Sequence, residues 1–135
     1  MRAMNQWREE MKVRTHKFWV DVLQLLDTIP DGTKTRRLKD QLAGAASGLD
    51  LNWRAACRAR SHKEFTAKVG TVLEEADEAE GCLDTICDAR LNTTDDAKRL
   101  RVESKELRSI FAKASSTARR NEQAAQKNRR RQPPP

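Results

Sequence analysis

Helix-breaking residues are scarce in this chain. It has five glycines and four prolines in 135 residues, and three of the prolines are the last three positions. An interior so poor in breakers favours long helices, and no strand signal or internal repeat competes with them. Aromatic residues make up only 4%, with no tyrosine, so Leu, Ile, Val and Ala must supply most of any core. No apolar run approaches the roughly 20 residues of a membrane span. The opening segment, MRAMNQWREEMK, is too charged for a secretory signal. Cysteines are few and odd in number, Cys57, Cys82 and Cys87, which argues for reduced thiols. The expected setting is cytoplasmic, with no membrane partner.

The residues of most catalytic and metal sites are also sparse. The two histidines, His16 and His62, fall on different predicted elements, and neither has a second ligand at metal-binding spacing. Cys82 and Cys87 are five residues apart on a predicted helix, about 140° around its axis, so they do not share a metal or a bond. Each reads as a small buried hydrophobe. Gly-rich phosphate loops are missing. The acidic run containing Glu74, Glu75, Asp77, Glu78 and Glu80 has no histidine partner and reads as a solvated or salt-bridged face. No catalytic residue, metal or cofactor is therefore expected, and the chain is read as a binding or assembly module.

What is abundant is charge, and it is unbalanced. Lys and Arg number 27 against 20 Asp and Glu, a net charge of +7. Such an excess favours polyanionic partners such as nucleic acid, or a membrane surface. The length is that of one domain with one modest core.

Four amphipathic segments can be traced. In residues 4–29, Met11, Phe18, Val22, Leu25 and Ile29 share one helical face, with Thr15 filling the gap, and Pro30-Asp31-Gly32 ends the helix. A neighbouring stripe, Trp19, Leu23 and Leu26, is either a widened core face or an oligomer interface. In residues 34–57, with Thr33 or Thr35 as cap, the seam runs through Leu38, Leu42, Ala45, Leu49, Asn52 or Trp53, and Ala56. Gly44 and Gly48 there permit close helix approach or simply weaken the helix.

Ser61 with Glu64 forms a capping box before the third segment, residues 62–90. There Phe65, Val69, Val72, Ala76, Ala79, Leu83 and Ile86 alternate spacings of four and three without a break, a seam suited to an antiparallel bundle. The fourth segment spans 95–120, with Thr94 as cap and Leu100, Leu107, Ile110, Phe111, Ala114 and Ala118 on one face. The expected architecture is all-α, an antiparallel up-down-up-down four-helix bundle over residues 1–120. Residues 121–135 read as a basic disordered tail.

Cations gather at three places: Arg36 and Arg37 at the start of the second helix, Arg54, Arg58, Arg60 and Lys63 around the second elbow, and Arg129, Arg130 and Arg131 in the tail. They read either as phosphate contacts or, for Arg54 and Arg58, as ion-pair partners of the acidic third helix. No zinc-finger, RNA-recognition or helix-turn-helix signature accompanies them, so any nucleic-acid binding should be weakly sequence-specific.

The elbow Asn52-Trp53-Arg54-Ala55-Ala56-Cys57-Arg58-Ala59-Arg60-Ser61, continued as HKEFTAKVGTVLEEADEAEGCLDTI, resembles the four-helix-bundle family of 23S ribosomal RNA intervening-sequence proteins. That family shows an Asn-aromatic-Arg-x-Ala-x-x-Ala-Arg-Ser elbow, then Glu-Phe and an acidic Glu-Ala-Asp-Glu segment. The upstream LAGAASGLDLN and the downstream ELRSIFAKASSTAR are similar to its flanking helices, so the resemblance covers about residues 7–120. It implies an antiparallel bundle assembled as a homopentamer, a basic surface directed at nucleic acid, and no enzymatic activity. A related branch holds the accessory variability proteins of diversity-generating retroelements, which bind a reverse transcriptase and nucleic acid. Many members have proline where this chain has Asp50, so the kink expected there is absent or milder here. The basic tail lies outside the resemblance.

Overall fold

The computed structural model describes residues 2–135. Four helices follow one another: α1 (Arg2–Asp27), α2 (Arg36–Cys57), α3 (His62–Asp88) and α4 (Asp95–Arg131). Each packs against its neighbour in sequence, α1 returns to α4, and no diagonal pair makes close backbone contact. The result is the four-helix bundle that short connections between amphipathic helices require.

Local chemistry sets the ends of these helices. Thr28 and Ile29 donate backbone N–H groups to the carbonyls of Leu25 and Leu26, tightening the last turn of α1 before Pro30. Thr35 precedes α2 but does not cap it; its hydroxyl donates to the Pro30 carbonyl at 2.9 Å. Ser61 caps α3 as expected, accepting from the Glu64 N–H at 3.0 Å. The return bond from the Glu64 carboxylate goes to the Arg60 N–H, one residue earlier than in the usual capping box. Thr94 accepts from the Ala97 N–H and starts α4.

The predicted seams meet in the core. Met11, Phe18, Val22, Leu25 and Ile29 from α1 pack with Leu42, Ala45, Leu49, Val69, Val72, Leu83, Leu100 and Leu107. The alternative at Asn52 or Trp53 resolves to Trp53, which is fully buried. Trp7, Phe65 and Phe111 surround its ring at centroid distances of 5.2–6.3 Å. Its Nε1 donates to the Arg8 carbonyl at 3.2 Å, so the indole is buried without an orphaned donor. Most of the chain's few aromatics are thus spent at the end of the bundle that carries the α2–α3 elbow.

Charge organises the outer seams. Glu80, Asp84 and Asp88 of α3 face Arg108, Lys105 and Arg101 of α4, an antiparallel ladder with one rung per turn. Arg14 of α1 reaches Glu103 and Glu106 of α4 at 2.6 and 2.7 Å, and Arg99 reaches Asp21. Of the acidic run from Glu74 to Glu80 only Glu80 is salt-bridged among the described residues, and its partner, like those of Asp84 and Asp88, lies on α4, not among the elbow arginines.

Three expectations change. Leu26 is not an interface residue, because α1 packs on both α2 and α4 and must bury an arc wider than one seam; the side chain is 6% exposed and belongs to the core. Gly44 has nothing within 4 Å of where a Cβ would stand, so it serves no close approach, while Gly48 lies under the Glu75 side chain. Finally, residues 121–131 are helical rather than a disordered tail: α4 continues unbroken to Arg131, well past Ala118, the last seam position. Its apolar period stops, but Gln, Ala, Lys, Asn and Arg all tolerate a helix, Gln126 donates to Glu122 one turn back, and the first breaker is Pro133.

Candidate nucleic-acid interface

The bundle has two unlike ends. One carries the α1–α2 and α3–α4 connections; the other carries the α2–α3 elbow, the start of α1 and the C-terminal part of α4. Arg36 and Arg37 lie at the first end, exposed and outside any salt bridge, and α2 separates them from Arg58 by about 30 Å. Within one chain they do not share a surface with the elbow. Lys39 is engaged locally, donating to Asp31 and to the Ile29 carbonyl at 2.8 Å each, and its ammonium holds the Asp31 carboxyl below the usual range.

At the elbow end the helical extension of α4 changes the picture. The Thr66 hydroxyl donates to the His62 carbonyl at 2.8 Å and lies 3.3 Å from the Ala118 carbonyl, a contact that gives the register of the antiparallel α3–α4 pair. By that register α4 draws level with the first residue of α3 near Glu122 and then runs on for about 15 Å beyond it. Lys127, Arg129, Arg130 and Arg131 therefore stand on a helical arm projecting past Arg58, Arg60 and Lys63. All seven are exposed, and none is in a salt bridge among the described residues. The nearby carboxylates are already engaged: Glu64 closes the elbow cap and Glu122 accepts from Gln126. An array of unpaired cations on a rigid end and arm can neutralise phosphates along a strand; it offers no general base or nucleophile.

Arg54 departs from its neighbours. Its Nε lies 3.4 Å from the Asp50 carboxylate, which is buried between α1 and α2. Thr15 donates its hydroxyl to the same carboxylate at 2.8 Å, and His16 Nδ1 is 3.3 Å from its other oxygen. Sequence reasoning overlooked this cluster. The available signal was the polar Thr15 inside an otherwise apolar seam, since a buried hydroxyl needs a partner across the interface. Asp50 thus ties α2 to α1 through Thr15 and His16, and Arg54, one turn along α2, is engaged with the same carboxylate and less free for phosphate than Arg58 or Arg60.

The remaining candidates are dispersed. On the back of α1, Trp19 is half-buried with its ring edge-on to His16, and Leu23 is 45% exposed beside exposed Val13 and Val20. The cysteines are free, Cys82 buried and the others half-buried; burial raises the thiol pKa of Cys57 and Cys82, which disfavours the reactive thiolate. Among the described residues no cluster of three or more His, Cys, Asp or Glu is placed to hold a metal, and no helix is long and apolar enough to cross a membrane.

The fold has a solved counterpart. A crystal structure of a protein with unknown function from the S23 ribosomal protein family of Bacteroides thetaiotaomicron VPI-5482 is similar, with a TM-score of 0.69 at 21% sequence identity. The match covers 77% of this chain and 96% of that one, so nearly a quarter of this chain has no counterpart there. No protein-family model and no curated protein matches the chain. At this identity the likeness concerns architecture alone.

Proposed function

We propose that the chain is a non-enzymatic, homo-oligomeric module that binds nucleic acid with little sequence preference. The gathering of unpaired cations at one end of the bundle, elbow and helical arm together, carries this reading. Phosphate contact by Arg58, Arg60, Lys63 and the arm would release counterions and hold a strand against that end. Repetition in an oligomer, five copies by the family resemblance, would multiply weak single-protomer contacts. The elbow motif and the fold of the S23-family neighbour both support grouping the chain with the intervening-sequence proteins. Three unpaired thiols suit a reducing cytoplasm.

A filter-binding titration against RNA and DNA tests the proposal. Binding at about 50 mM salt that weakens steeply as salt rises is the expected result, and no binding at that salt rejects it. A second reading has its own observation: the exposed Val13, Val20 and Leu23 on α1 are suited to a protein partner. That reading makes the chain an adaptor, such as a reverse-transcriptase accessory subunit. Recovery of one protein partner that survives nuclease treatment, with no direct binding to nucleic acid, would favour it.

A further inference from the structure

Beside the cationic elbow, where α1 and α4 diverge, the bundle opens into a cleft of about 550 Å³. Its size lies within the range of roughly 300–1,000 Å³ usual for clefts that enclose small ligands. Three helices form it. Trp7 and Phe65 give it aromatic walls, Met4 and Ile110 add apolar surface, and Arg8, His62 and Lys113 bring positive or protonatable nitrogen. No acidic residue lines it, in a chain with 20 carboxylate side chains. The Arg8 guanidinium lies over the Phe65 ring, 4.8 Å from its centroid. Its Nε is buried with no hydrogen-bond partner, the only such side-chain atom among the described residues. A buried donor without an acceptor is costly, so the Arg8 side chain has unmet hydrogen-bonding capacity at the wall of the cleft.

These features together specify an occupant. It has flat apolar faces to lie against Trp7 and Phe65, acceptor atoms for the Arg8 guanidinium, and attached negative charge to suit the surrounding cations. A protein side chain such as leucine satisfies the first requirement only. An unpaired nucleobase satisfies all three, since bases stack on aromatic rings and guanidinium planes and carry ring-nitrogen and carbonyl acceptors. The position fits as well, because His62, the first residue of α3, stands between Arg60 of the elbow and Lys63. A strand with its phosphates along the elbow reaches the cleft mouth within a nucleotide or two.

We propose that the cleft between the start of α1 and the C-terminal half of α4 takes up one unpaired base of a single-stranded nucleic acid, stacked against Trp7 and Phe65 and accepting from Arg8. This rests on the nucleic-acid reading and adds a preference to it: single strands, loops or bulges over continuous duplex.

The test compares three probes of equal length on the full chain by fluorescence anisotropy: a single strand, the same strand with abasic sites, which keeps the phosphates and removes bases, and a duplex. The proposal expects the intact strand to bind about fivefold or more tighter than its abasic form, as one stacked base implies. Thr117→Trp from α4 and Met4→Trp from α1 fill the cleft from opposite walls, both starting from exposed side chains. In variants whose circular dichroism remains helical, the intact strand should fall to the affinity of the abasic one. Equal binding of intact and abasic strands by the unaltered protein overturns the base cleft while the phosphate-binding reading stands. A base preference that survives both filled-cleft variants places it elsewhere and also overturns the proposal. Absence of binding to all three probes rejects the underlying function itself.

Discussion

Asp50 is the one fully buried carboxylate of the bundle core, and its partners are unequal. Thr15 is buried with it, whereas the side chains of Arg54 and His16 are 42% and 53% exposed. Removing Arg54 leaves a charge in the core supported only by a hydroxyl and an imidazole, a situation that destabilises strongly when the lost partner is itself buried. With Arg54 half in water the cost is smaller, and Arg54→Ala should destabilise by about 1–3 kcal/mol. In an Asp50→Leu background the same replacement should cost nearly nothing, since no charge remains to be stranded. Urea unfolding of the four proteins of this cycle measures the coupling directly. Additive effects would mean that Arg54 does not support Asp50. The Asp50 carboxylate ties α2 to α1 inside a helix that runs unbroken from Arg36 to Cys57.

At the level of single helices, several backbone positions hold the opposite of their preferred residue. Gly44, Gly70 and Gly81 sit inside helices with open space where a Cβ would stand, and each costs helix propensity without serving a contact. Arg90, by contrast, adopts φ 56° just after α3, the left-handed position where glycine is free of strain, while the Leu91 N–H closes the helix end on the Ile86 carbonyl. Gly44→Ala, Gly70→Ala and Gly81→Ala should each stabilise by about 0.5–1 kcal/mol, and Arg90→Gly by a similar amount. Thermal unfolding of the single variants checks this; a loss of stability at Gly44 or Gly81 would reveal that a neighbouring subunit occupies the open space. Gly48 differs, because an added Cβ would lie 2.8 Å from the Glu75 carboxyl carbon and would push that side chain away. Burial first, and then the neighbouring Glu78 and Glu74, already raises the Glu75 pKa. Periodicity made the core faces of all four helices readable, from Met11 to Ile29 and from Val69 to Ile86, because a seam obeys the helix repeat. It left Leu26 open between core and interface, because its burial depends on α1 touching two partners at once. It also ended α4 near residue 120, because the apolar pattern stops there while helix-tolerant residues continue. The elbow cations were visible as a run; the cleft beside them was not, since Met4, Trp7, Phe65 and Ile110 come from three separate helices.

Across the whole molecule, the salt bridges divide the basic residues into two populations. Arg14, Arg99, Arg101, Lys105 and Arg108 are consumed in pairs that fasten α4 to α1 and α3. Seven unpaired cations stand at the elbow and on the arm, and a second, smaller group, Lys34, Arg36, Arg37, Arg90 and Lys98, stands at the other end. If the elbow end binds phosphate, location must matter and total charge must not suffice. Each phosphate contact contributes about 0.9 to the slope of log affinity against log salt on duplex DNA. Replacing Arg58, Arg60 and Lys63 by glutamine, or Arg129, Arg130 and Arg131 by glutamine, should flatten that slope by about 2–3 and weaken binding at low salt. Arg36→Gln with Arg37→Gln should leave the slope nearly unchanged, although it too lowers the net charge. Equal flattening by the remote pair would show that the protein's overall field, or an oligomer that brings the two ends together, sets the affinity. The three measurements together separate a localised contact from general attraction between a basic protein and a polyanion, a distinction that composition alone leaves open.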